Sequence, residues 1–134
     1  MLIFIGLVLT APVRAEDLTH VQLIGCHDGD TCAFNVLLPP VIGGNVGVRL
    51  AGIDTPEIHG KCDHEKERAI QAREFLSAQL AGAQIVLADV SRDKFFRIDA
   101  TVIANGVNIN ALMVERGYAV PYHGSGPRHD WCHP

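Results

Sequence analysis

The chain has 134 residues, 48% of them hydrophobic and 19% charged, a composition that excludes a disordered tail or a collagen-like repeat and fits one ordinary globular domain. Its formal net charge of -4 argues against an extended basic surface of the kind that binds polyanions by releasing counterions.

Residues 1–15, "MLIFIGLVLTAPVRA", join an apolar run to Pro12 and a Val-Arg-Ala ending. This reads as a secretory signal cleaved after Ala15, too short to span a membrane. The mature domain then runs over 16–134, one unit more acidic for the loss of Arg14, and the protein is expected to be secreted or periplasmic with no stable membrane association.

"VQLIGCHDGDTCAFNVLL" alternates as two strands around Asp28-Gly29, a strong hairpin signal. "PPVIGGNVG" reads as a loop, and "VGVRLAGI" as a strand ending at the Asp-Thr-Pro turn. From His64 to Leu80, Ala69, Ala72, Leu76 and Leu80 recur at helical spacing with Ile70 and Phe75 widening the stripe; Asp63 is placed to cap this helix and Gly82 to end it. Gln84 to Val90 and Ile98 to Ala104 are two further strands, closing on an Asn105-Gly106 turn. Asn108 caps a short helix, "INALMVER", stopped by Gly117. The tail "YHGSGPRHDWCHP" is irregular. Five short strands and a helix after the third predict a β-rich α+β fold compatible with a five-stranded OB-fold barrel carrying two or three helices, although periodicity alone does not separate it from another α+β sheet.

Four cysteines suit an exported protein. Three connectivities are possible; the hairpin brings Cys26 near Cys32, leaving Cys62 for Cys132, a closure of about 70 residues that the chain-entropy model values at roughly 4 kcal/mol. "CDH" at 62–64 and "HDWCH" at 129–133 also offer zinc donors, but at no standard finger spacing.

"HDGDT", "VRLAGIDTPE" and "RDKFFR" each put charge at a strand end or turn. Singly, each is an ordinary solvated turn. Together they offer Asp30, Asp54 and the Thr55 carbonyl as oxygen donors for a hard divalent cation, Arg49 and Arg97 as planar forks for phosphate oxygens, and Glu57 as a carboxylate to orient or deprotonate water. In a straight strand Arg49 and Asp54 would face opposite ways, so Gly52 is expected to supply a bend that returns them to one face.

"DGDT" at 28–31, "VRLAGIDTPE" at 48–57, "DKFFR" at 93–97 and "NALMVERGYA" at 110–119, in this order, resemble the motifs of the staphylococcal nuclease (thermonuclease) family over about residues 21–122. The resemblance implies an OB-fold and calcium-dependent cleavage of DNA and RNA, single strands favoured, by water attack on phosphorus, leaving 3′-phosphate ends. It implies Asp30, Asp54 and Thr55 as calcium ligands, Arg49, Glu57 and Arg97 as catalytic residues, and Lys94, Phe95 and Tyr122 as substrate contacts. A monomer is expected. Where the family usually has "DKYGR", this chain has "DKFFR": Phe95 keeps an aromatic face for base stacking, while Phe96 replaces a glycine, so the position of Arg97 decides the reading. The alternative is the same barrel as a catalytically weak module binding nucleic acid or protein.

Overall fold

The computed structural model describes residues 17–37, 43–92 and 97–133; the expected signal segment and Lys94, Phe95 and Phe96 lie outside them. The elements are β1 (Val21–Cys26), β2 (Thr31–Val36), β3 (Gly43–Leu50), β4 (Ile53–Asp54), α1 (Asp63–Leu80), β5 (Ile85–Arg92), β6 (Ile98–Ala104), β7 (Val107–Asn108), α2 (Ile109–Glu115) and β8 (Val120–Pro121). Among the described residues no helix is long and apolar enough to cross a membrane.

The fold is mixed α+β and strand-rich, with two helices. The main sheet runs β1-β2-β3-β6-β5 with β7 beside β6, and β4 pairs separately with β8. Neighbours are antiparallel except β3 and β6, which are parallel, Val48 opposite Ile98 and Leu50 opposite Ala100. The expected closed OB barrel is not what the hydrogen bonding displays: no described ladder joins β1 to β5. In its place is one antiparallel bridge, Leu18 to Leu87, with two hydrogen bonds of 2.9 Å. β1 has an irregular register between Leu23 and Gly25, and β5 between Ala88 and Ser91, where Asp89 takes φ +50°. Such bulges twist strands and interrupt ladders, and the sheet is left open between β1 and β5.

Strand alternation builds the core. Cys32, Phe34 and Val36 of β2, Val48 and Leu50 of β3, and Ile98, Ala100, Val102 and Ala104 of β6 are all buried, the period of two expected for a sheet with one covered face. Ala72, Leu76 and Leu80 of α1 and Ile109 and Met113 of α2 complete the cluster. Ile70, expected to widen the α1 stripe, is instead 41% exposed. One residue past Ala69, it turns about 100° away from the buried face. Phe75 is partly buried and stacks on Tyr118 with ring centroids 4.5 Å apart.

The helix ends differ from expectation in one respect. Cys62, not Asp63, is the N-cap of α1, its sulfur accepting from the Glu65 amide at 3.4 Å; Asp63 lies in the first turn, where its charge complements the helix dipole. Asn108 caps α2 by accepting from the Ala111 amide. Both disulfides pair as the hairpin geometry favours, Cys26 with Cys32 and Cys62 with Cys132, so neither sulfur of the "CDH" and "HDWCH" segments is available to zinc.

Where β3 leaves the sheet, Asn110 acts as a polar rivet. Buried, it accepts from the Val102 amide at 3.0 Å and donates to the carbonyls of Ala51 and Ala100 at 2.9 and 3.0 Å. Truncation would deprive the buried Val102 amide of its acceptor and the Ala51 carbonyl of its donor, while the Ala100 carbonyl keeps the Ala51 amide. Asn110→Ala is expected to lower unfolding free energy by about 3 kcal/mol, measured by urea denaturation of the disulfide-intact protein; a loss below about 1 kcal/mol would mean that other groups satisfy these atoms.

Candidate active site

The C-terminal end of β3 gathers residues distant in sequence. On one side Thr31 pairs with Arg49, and the Leu50 amide donates to the Asp30 carbonyl at 2.8 Å. On the other, Arg49 is opposite Asp99 in the parallel ladder, which sets Arg97, just before β6, beside β3. The Arg97 stem lies against Gly47: a Cβ there would meet its Cγ at 3.6 Å. Gly52 then bends the chain at φ +78°, a conformation that side chains disfavour. Its carbonyl accepts from the Tyr122 amide at 2.9 Å, and β4 follows, pairing Asp54 with Val120.

The result is an open cleft of about 470 Å³ lined by Asp30, Arg49, Asp54, Glu57, Arg97 and Tyr122, along with Asp28, Thr31, Asp99, Gly124 and Arg128. Five of the six residues expected from sequence to hold metal or to act in catalysis therefore share one cavity. The sixth, Thr55, is buried next to Asp54, and its Oγ1 has no hydrogen-bond partner. Arg97 faces the cleft despite the "FFR" sequence. Arg49 donates to the Ile53 carbonyl at 2.9 Å and lies 3.8 Å from the Asp30 carboxylate. Tyr122 lines the rim, its hydroxyl donating to the Gly126 carbonyl at 3.2 Å.

Asp54 is 1% exposed, and its charge is met by the tail. Arg128 Nη2 lies 2.6 Å and Nε 3.2 Å from Asp54 Oδ1, while Nη1 lies 2.6 Å from Glu57 Oε1. The indole of Trp131 donates to Asp54 Oδ2 at 3.3 Å. Trp131 is itself buried, edge-on to His129 and beneath the Arg68 guanidinium. Burial works against the charge on Arg128, but the hydrogen bond and charge of Asp54, followed by those of Glu57, outweigh it and hold the guanidinium above its ordinary pKa. Asp130 accepts from the Cys132 amide, bonds to the His133 ring at 3.1 Å and accepts from the His133 amide, bonds that hold its carboxyl below the usual range and shape the turn delivering Cys132 to Cys62.

The turn carrying Glu57 is braced by buried Glu65. One of its oxygens accepts from the Glu57 amide at 3.1 Å and the other from the Lys61 amide at 3.0 Å. Gly60 is what lets this carboxylate in, since a Cβ there would sit 2.4 Å from Glu65 Cδ. Glu57 itself remains 51% exposed, in reach of water.

Among the described residues, no three His, Cys, Asp or Glu side chains form a ready-made metal cage. Asp30 and Asp54 are oxygen donors in one cleft, a chemistry that fits a hard cation with waters completing its shell better than zinc. The electrostatics agree. Burial, then the charge of Asp28 and a hydrogen bond with it, raise the Asp30 carboxyl from 3.8 to about 6 against the opposing pull of Arg49 and Thr31. The metal-free fold therefore retains a proton on Asp30 between about pH 4 and 6 that the unfolded chain releases. Its stability falls as pH rises through that window, by up to about 3 kcal/mol. Asp30→Asn should raise the melting temperature in chelator at pH 7, with the gain vanishing below pH 4. A melting temperature unchanged at pH 7 would show that Asp30 carries no such penalty.

Sequence reading missed Arg128, Trp131, Glu65 and Asn110 as parts of this architecture. Their sequence signals are slight: Arg128 and Trp131 come just before Cys132, Glu65 just after Cys62, and Asn110 opens the "NALMVERGYA" motif without its buried bridging role being read from it. Among known proteins, the chain is 35% identical over 102 residues to an uncharacterized protein of Bacillus anthracis, covering 74% of this chain and 45% of that one. It is 32% identical over 87 residues to a probable endonuclease of Schizosaccharomyces pombe, covering 60% and 38%. The chain thus spans less than half the length of either relative. Residues 47–131, which hold Arg49, Asp54, Glu57, Arg97 and Arg128, match the staphylococcal nuclease homologue model, and the chain belongs to that family.

Proposed function

We propose that this protein is a secreted or periplasmic, calcium-dependent nuclease that hydrolyses phosphodiester bonds of DNA and RNA, with single strands favoured. The observation that carries the reading is the convergence of Asp30, Arg49, Asp54, Glu57 and Arg97, drawn from three separate segments, on one open cleft. Family membership and the name of the yeast relative point to the same chemistry. Two disulfides suit an oxidising compartment.

Asp30, Asp54 and the Thr55 carbonyl would hold the cation. Calcium, when bound, supplies positive charge that draws the phosphodiester into the cleft and offsets its negative charge. Arg49 and Arg97 clamp non-bridging phosphate oxygens through their planar forks, contacts that strengthen as charge builds toward the pentavalent transition state. Glu57, exposed and anchored through its amide by Glu65, accepts a proton from the attacking water. The P–O5′ bond breaks, its electron pair leaving with O5′, which takes a proton from solvent in the open cleft, so that a 3′-phosphate and a 5′-hydroxyl remain. Lys94 and Phe95 would contact the substrate backbone and a base, and Tyr122 would do so from the rim.

Incubation of the oxidised protein with single-stranded DNA, with calcium or with chelator, tests the reading: cleavage is expected only with the cation, and absence of cleavage with every divalent ion would refute it. Glu57→Gln should lower turnover about hundredfold or more, and Arg97→Ala more than tenfold. Full turnover in the Arg97 variant would remove that arginine from the catalytic set.

A further inference from the structure

The tail meets the site in a way that neither the family assignment nor the catalytic roles above require. We infer that Arg128 is an internal counter-cation that sets the calcium affinity of the cleft by competing for its carboxylates. The inference rests on the reading of Asp54 as a cation ligand and concerns how that ligand is shared.

Its basis is the bridging geometry. One guanidinium reaches Asp54 by two nitrogens and Glu57 by a third, with two contacts of 2.6 Å, so the same positive group neutralises the expected metal ligand and the expected acceptor of the water proton. A divalent cation on Asp54 and a guanidinium on the same oxygen would repel at close range, in a wall of low dielectric where screening is weak. Binding of the ion therefore requires Arg128 to withdraw. Withdrawal is feasible at the arginine, which is 44% exposed, but is restrained on its C-terminal side. Trp131 is buried and bonded to the other oxygen of Asp54, and Cys132 is bonded covalently to Cys62 at the start of α1. The tether keeps the guanidinium at high effective concentration over the carboxylates, while Trp131 can keep its bond when the arginine leaves.

The consequence is a reduced apparent affinity. If the guanidinium covers Asp54 nine-tenths of the time, the cation finds about one molecule in ten open and its Kd rises about tenfold. Removing the arginine also leaves a buried carboxylate short of positive charge, a state that a cation relieves. Arg128→Gln, which keeps a hydrogen-bond donor without charge, should thus lose thermal stability in chelator and regain it with calcium, the calcium-induced rise in melting temperature exceeding that of the parent.

Calorimetric titration of calcium into the disulfide-intact parent, Arg128→Gln and Arg128→Lys tests this directly. Binding about tenfold tighter in Arg128→Gln is expected, with Arg128→Lys in between, because a point charge cannot span both carboxylates as the fork does. If Arg128→Gln does not fold without the ion, the calcium dependence of its refolding, corrected for the folding equilibrium measured by urea titration at several calcium concentrations, gives the affinity of the folded form. Equal affinity in parent and Arg128→Gln, or weaker binding in the variant, would overturn the competition while leaving the metal site intact. No binding in any of the three would overturn the metal reading itself, and this inference with it.

Discussion

Asp54 is a charge with almost no water around it, and much of the site is arranged to make that tolerable. A buried ion left without a partner costs several kcal/mol even after relaxation. Here the compensation comes from far along the chain: Arg128 and Trp131 each take one carboxylate oxygen, and the short β4–β8 pairing brings the start of the tail alongside. The disulfide from Cys132 to Cys62 fixes the far end of the segment. Burial of one side chain thus ties together a strand end, a helix start and a loop that share no continuous sequence.

The same point of the fold is held from behind by β3. This strand has partners on both edges, β2 antiparallel and β6 parallel, so its exit from the sheet can be specified by neighbours of different origin. The Asp30 carbonyl takes the Leu50 amide, the Ala100 carbonyl takes the Ala51 amide, and Asn110 reaches Ala51 and Ala100 together. Side chains set on well-bonded backbone are more accurately held than side chains on free loops. That is the structural reason for Arg49, Arg97 and Asp30 to meet there. The cost is visible in Asp30, whose proton affinity is raised by its surroundings.

Local features of this arrangement were legible in sequence. The Asp28-Gly29 hairpin, strands β5 and β6, the Asn108 cap and the bend at Gly52 each arise from a few adjacent residues with strong backbone preferences. Most of the site was legible too, because strand ends carry motifs that need only be brought together. Other features depend on contacts that leave no local trace. β4 and β8 are two residues each, too short to show a period. Barrel closure depends on whether two bulged edges align, which composition does not encode. Ile70 looked like part of a stripe because neighbouring apolar residues on a helix differ in direction, not in kind. Arg128 was indistinguishable from any solvated arginine of a Gly/Pro-rich tail, since its partner lies 74 residues away.

The Cys62–Cys132 bridge has a further effect on the molecule as a covalent object. Two cysteines 70 positions apart turn α1, the β5–β6 pair, α2 and the tail into a closed ring, leaving the β1–β4 segment as a branch upstream of it. A single peptide cut within the ring, as at the exposed Asn105-Gly106 turn, opens the ring without dividing the molecule. Nicked protein would migrate as one species until reduced, and its Arg128 and Asp54 would still belong to the same covalent body. Damage that would split an unbridged domain of this size is converted here into a change of chain connectivity.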